Sequence, residues 1–183
     1  ASSATDIALK YFPYISAFVI IIFFIGLFLA NLFKVDRSLG ILIASGTAIC
    51  GATAMAAISP LIKSKPKDLF AALTIIFVFN AIAIGIFPLI GVATGMNFES
   101  FGAWSSMAVH DTASVIGTAI AFGGDAVETA TILKLSRTIW LIPLIIILGI
   151  FYQDRSKPKL PIFILLFIIA IALGTILEFN QDT

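Results

Sequence analysis

His110-Asp111-Thr112, with Ser114 close behind, lies in the middle of an apolar stretch, and His110 is the one histidine of the chain. An ionisable residue at bilayer depth costs at least about 2.5 kcal/mol on insertion scales, so it faces a cavity or a partner. An imidazole titrates near neutral pH and can carry a proton. Two readings of the run stand side by side. In one, it moves an ion or a solute. In the other, Asp111 caps a half-helix whose first turn is Thr112–Val115. A His–Asp pair also serves nucleophilic triads, but no serine in a strained turn accompanies this one. No catalytic residue and no enzyme activity is expected.

A second unusual run, GTAICGATA from Gly46 to Ala54, interrupts another apolar segment. Gly46 and Gly51 lack a Cβ and let the backbone unwind or approach a neighbour. Thr47 and Thr53 add hydroxyls, and a break frees N–H groups whose dipole favours an anion. The same small residues serve equally well for close helix packing. Cys50 reads as a small buried residue. Lys134 and Arg137 are three apart and share a helix face, which Thr131 and Thr138 extend. They either snorkel to the membrane interface, balance Asp111, or attract an anionic solute.

The rest of the chain must hold these residues in lipid. It has 183 residues, 60% hydrophobic and 11% charged, with a mean hydropathy of +1.12. An ordinary soluble domain carries about a quarter charged residues. A net charge of +1 gives nothing for nucleic acid to bind. One cysteine allows no internal disulfide, and no metal-ligand spacing or cofactor motif is present. The chain starts at Ala1 and its first methionine is Met55, so it is expected to be part of a longer protein or one whose start was removed.

A membrane span needs about 20 apolar residues. That length predicts an all-α polytopic membrane protein forming one transmembrane domain. Its six apolar segments are 11–33, 39–62, 69–90, 101–122, 130–152 and 160–177, of which 39–62 and 101–122 are broken helices or re-entrant hairpins. Asn80, Pro88 and Pro143 read as ordinary features of a packed bundle, Asn80 as an interhelical hydrogen bond. Loop charges test the topology, since cytoplasmic loops hold the Lys and Arg. If every segment crosses, Lys34, Arg37, Arg155, Lys157 and Lys159 face Lys10, Lys63, Lys65 and Lys67, which fixes no orientation. If both odd segments turn back, Lys10 alone is left on the far side. A hairpin at His110 is favoured and one at Gly46 is compatible. The two tips would then enter from opposite faces and approach near the midplane.

Three stretches in this order carry a resemblance: GTAICGATAMAAISPLIKSK from Gly46, SMAVHDTASVIG from Ser106, and ETATILKLSRT from Glu128. They resemble the UPF0324 or YeiH-like family of bacterial membrane proteins, which bear the label sulfate exporter. The family is grouped with anion transporters related to bile-acid symporters and glutamate and citrate carriers. The resemblance implies a longer inverted-repeat transporter in the bacterial inner membrane, multi-pass, exporting a sulfate, sulfite or sulfonate-class anion by alternating access. The expected partners are the lipid bilayer, a small anion, a proton or sodium ion for coupling, and further copies of the chain. The expected substrate contacts are Gly46, Thr47, Cys50, Gly51, Thr53, His110, Asp111, Thr112 and Ser114. His110, Asp111, Lys134 and Arg137 are the charge and coupling candidates. The rival readings are an intramembrane enzyme and a structural membrane subunit.

Overall fold

The computed structural model describes residues 4–152. The loop at 153–159 and the last expected segment, 160–177, lie outside them. Every regular element among the described residues is a helix: α1 (Ala4–Leu32), α2 (Arg37–Ala48), α3 (Ala52–Ile58), α4 (Pro66–Ala93), α5 (Phe98–Ala108), α6 (Thr112–Phe122), α7 (Ala126–Thr138) and α8 (Leu141–Tyr152). Local sequence sets the ends. Pro66 opens α4, where its missing N–H costs nothing. Asn97 caps α5 and Asp111 caps α6, each accepting from the N–H three residues on.

Three stretches are long and apolar enough to cross a membrane: Lys10–Leu32, Pro66–Ala93, and α7 with α8 as Ala126–Tyr152. At 1.5 Å per residue each exceeds the roughly 30 Å hydrocarbon core. Neither α2 with α3 nor α5 with α6 makes such a stretch, because each pair folds back on itself. Along the first pair, Gly40 packs on Ala30 and Gly26 on Ala44, so α2 runs antiparallel to α1. Gly46 then faces Met55 of α3 and Ile76 of α4. In the second pair the Phe101 and Phe122 rings stack with centroids 3.8 Å apart, although they stand at opposite ends of the α5–α6 sequence. Both rings lie against Gly91, late in α4, while Ile84 meets Gly117. The segment at His110 is therefore a hairpin, and so is the one at Gly46.

Of the two alternatives open for the odd segments, the structure adopts the hairpin in both. The breaks are also narrower than the GTAICGATA run suggested. Helix is lost over Ile49–Gly51 and Val109–Asp111 alone, while Gly46 and Thr47 remain in α2 and Thr53 lies in α3.

The two hairpins enter from opposite ends of the bundle. Lys10 and Tyr11 of α1 meet Glu99 at the mouth of the second hairpin, at 3.4 and 2.9 Å. The Tyr11 hydroxyl and the Lys10 ammonium hold the Glu99 carboxyl below the usual carboxylate range. At the other end, the Arg37 guanidinium lies over the Tyr152 ring, where α8 finishes beside the mouth of the first hairpin. Span, hairpin, span, hairpin, span is thus the order of parts, with the second hairpin inverted relative to the first. One core packs Leu42, Ile49, Met55, Ile58, Ile76 and Leu133. Another packs Phe101, Val109, Val115 and Ala119 between α4 and α7. Outward faces of α1 and α4 expose Phe24, Phe28, Phe77, Phe79 and Leu89, as helices bounded by lipid or further helices do.

The hairpins fix an accessibility pattern. In a Cys50→Ala background, cysteines at Lys34 and Lys65 should react with a membrane-impermeant maleimide from one side. Cysteines at Thr94 and Asp125, exposed at the opposite end, should react from the other. Labelling of Lys34 and Lys65 from opposite sides would mean that α2–α3 crosses.

Candidate functional site

The hairpin tips meet backbone to backbone. Gly51, at φ +65°, lies so close to the second tip that a Cβ there would stand 3.2 Å from the His110 carbonyl carbon and 3.3 Å from the Asp111 nitrogen. Two constraints therefore select glycine at this position: the left-handed backbone and the close approach. The first tip closes with the Gly51 N–H donating to the Gly46 carbonyl at 2.8 Å.

Each tip ends one half-helix and starts another. The C-terminal ends of α2 and α5 present carbonyls without intrahelical partners, and in an apolar interior these must be satisfied by something else. Arg137 does so for both hairpins. Its Nε donates to the Ala48 carbonyl at 2.6 Å, and its terminal nitrogens donate to Thr47, to Ser106 at 3.1 Å and to Met107 at 2.9 Å. Lys134, one turn earlier on α7, donates to the Val109 carbonyl at 2.8 Å. Both side chains are buried, at 0% and 1% exposure, so they do not snorkel. They complement the negative ends of two helix dipoles. Neither forms an ion pair with Asp111; among the described residues the ion pair is Lys10–Glu99.

Asp111 is held from α4 and α6. Its carboxylate accepts the Ser114 N–H at 3.0 Å, the Ser114 hydroxyl at 2.6 Å and the Asn80 amide. Asn80, buried in mid-α4, also accepts the His110 N–H at 3.1 Å and lies 3.1 Å from His110 Nδ1. The crossing thus gathers two basic side chains, one carboxylate and one imidazole. Here Asp111 is a cap and also half-exposed, as are His110, Thr112 and Ser114.

Of the expected contact residues, the crossing brings together Gly51, His110, Asp111, Thr112 and Ser114, with Thr47 present through its carbonyl. Cys50 is buried with a free thiol beside Gly51. Gly46 faces Met55 and Ile76 and packs helices, while Thr53 is exposed on α3. Asn80 belongs to the site although its sequence context marked it only as a packing residue. Its signal was its depth, mid-span in an apolar helix. The carbonyls that receive Arg137 leave no mark on side-chain sequence at all.

Two substitutions separate these roles. Arg137→Ala leaves four carbonyls unpaired and should destabilise the purified protein by about 3 kcal/mol or more. Arg137→Lys, with fewer donors in no fixed fork, should recover only part of this in the same thermal or detergent unfolding assay. Gly51→Ala should cost about 1–3 kcal/mol. Gly85→Ala, with nothing within 4 Å of its Cβ position, should be neutral or stabilising.

The chain matches, over residues 4–183, the family model described as conserved hypothetical protein 698. It is 43% identical over 155 residues to a UPF0324 membrane protein of Bacteroides thetaiotaomicron, covering 84% of this chain and 47% of the relative. A UPF0324 membrane protein of Shewanella oneidensis is 42% identical over 157 residues, 85% of this chain and 50% of the relative. One from Geobacter sulfurreducens is 37% identical over 153 residues, 84% and 49%. No solved structure matches. The chain spans about half the length of these curated relatives. With its apolar helices and this kinship, it belongs to the conserved hypothetical protein 698 family, among the UPF0324 membrane proteins.

Proposed function

We propose that this chain is the solute-binding core of a secondary transporter for a small anion of the sulfate, sulfite or sulfonate class. In this reading it works by alternating access within a longer inverted-repeat protein of the bacterial inner membrane. The observation that carries the reading is the meeting of two oppositely inserted hairpins, tip to tip, at a half-exposed polar crossing. A site with one hairpin on each side can open to either face in turn, and broken helices at the midplane are how many carriers build such sites. Lys134 and Arg137 are sealed beneath the crossing with their donors on carbonyls, so in this reading they favour an anion only through their charge at a distance, not by contact. The described loop charges support an orientation with the first hairpin's mouth in the cytoplasm, since Lys34, Arg37, Lys63, Lys65 and Lys67 lie at one end and Lys10 at the other.

The rivals are weaker on the same geometry. An intramembrane hydrolase would need a nucleophile within hydrogen-bond reach of His110, yet the nearby Ser114 hydroxyl donates to Asp111. A structural subunit accounts for the Asp111 cap but not for the partial exposure of the three polar residues around it, His110, Thr112 and Ser114.

The test uses the full-length protein in proteoliposomes. Uptake of sulfite, sulfate and small sulfonates across imposed proton and sodium gradients should saturate with one of these anions. His110→Ala should lower gradient-driven flux about tenfold, equivalent to ~1.4 kcal/mol, and flatten its pH dependence. Flux that never saturates would indicate a channel. A His110→Ala protein with unchanged pH dependence would remove His110 from coupling.

A further inference from the structure

Asn80 offers two different faces to two different partners, and its orientation decides the protonation of a third group. An ionised carboxylate can only accept hydrogen bonds. Asp111 already accepts from Ser114 through both oxygens, so the side of Asn80 that meets Asp111 Oδ2 must be the amide nitrogen. That leaves the amide oxygen pointing at His110, where it accepts the backbone N–H at 3.1 Å. The backbone bond confirms this orientation independently, because an N–H has nothing to accept with. The same oxygen lies 3.1 Å from His110 Nδ1. An amide oxygen has no hydrogen to give, so this contact is a hydrogen bond only when Nδ1 carries the proton. A neutral imidazole has one N–H, and its Nε2 is then a bare lone pair. Nε2 has no hydrogen-bond partner among the described residues.

We propose that Asn80 is a positioning residue that locks His110 as the Nδ1–H tautomer, making His110 Nε2 the proton-accepting atom of the hairpin crossing. The chain of control runs from Ser114 and Asp111 through Asn80 to the ring, joining α6, α4 and the second hairpin tip. The charged and polar groups packed around His110 are Asp111 on its own hairpin, the neutral Asn80 from α4, and Lys134 and Arg137 from α7, with Gly51 of the first hairpin against its backbone. Asn80 is the one of these that contacts Nδ1. Use of Nε2 in coupling rests on the carrier reading, whereas the tautomer does not.

The experiment reads the ring directly. Full-length protein is labelled with 15N-histidine, placed in lipid nanodiscs and studied by NMR, with His110 assigned by the signal lost in His110→Gln. Above the pH at which the ring is protonated, the wild type should show a protonated Nδ1 and an unprotonated Nε2. Asn80→Ala should lose this preference and shift the ring to Nε2–H. Asn80→Gln, which keeps a neutral amide oxygen for Nδ1 and an amide N–H for Asp111, should retain more of it than Asn80→Ala. A wild-type ring with the hydrogen on Nε2 would overturn the proposal, and so would an Asn80→Ala ring that stays Nδ1–H. The wild-type spectrum suffices if Asn80→Ala does not fold. A second readout is the pH midpoint of anion flux, which Asn80→Ala should move. Should the wild type carry no anion, the carrier reading fails while the tautomer assignment stands on its spectrum.

Discussion

A carbonyl that ends a helix inside an apolar bundle must find a hydrogen, and this chain has several such carbonyls gathered at one place. Turning back mid-bundle twice leaves the C-terminal carbonyls of α2 and α5 far from water. Each would cost several kcal/mol if left bare in hydrocarbon. Arg137 and Lys134 supply the hydrogens. The guanidinium suits the task because its donors lie in one plane and reach two hairpins at once. Nearly every other feature at the crossing depends on this arrangement. Without it the unwound tips would lose their hydrogen-bond partners, and with them the contact of Gly51 on His110 and the reach of Asn80 to His110 and Asp111.

The same pairing resolves a cost on the opposite side. A buried cation normally needs a carboxylate, since burying an isolated charge is among the most expensive operations in a protein. Here backbone dipoles at helix C-termini take that part. Asp111 is thereby released from ion pairing and serves the start of α6 instead. Opposite helix ends and opposite charges sort themselves: basic side chains at C-termini, a carboxylate at an N-terminus.

Much of the fold was legible because lipid imposes strict rules. Long apolar runs marked α1 and α4, and loop charges pointed to a hairpin at His110 before any geometry was known. The hairpin at Gly46 was less visible, since the charge count tolerated it without requiring it. The GTAICGATA pattern marks nine residues, yet only Ile49–Gly51 leaves the helix, because small residues are compatible with helix as well as with its loss. Lys134 and Arg137 were readable as a shared face, but their partners were not. A backbone carbonyl is the same at every residue, so no side-chain pattern could name Thr47, Ala48, Ser106, Met107 and Val109 as acceptors. The weight of Asn80 is not legible from its own segment, because it lies in what reaches it from the second hairpin tip, His110 and Asp111.

The position of α7 in the chain has a consequence for how the protein is made. Alone, its Lys134 and Arg137 would resist entry into a bilayer. Their acceptors lie at residues 47–48 and 106–109, all of which leave the ribosome earlier. By the time α7 emerges, both hairpin tips have already been synthesised, and the two cations meet waiting carbonyls rather than bare lipid. Chain order therefore doubles as an assembly order, with α7 as the closing piece that makes the earlier irregular segments tolerable in the membrane.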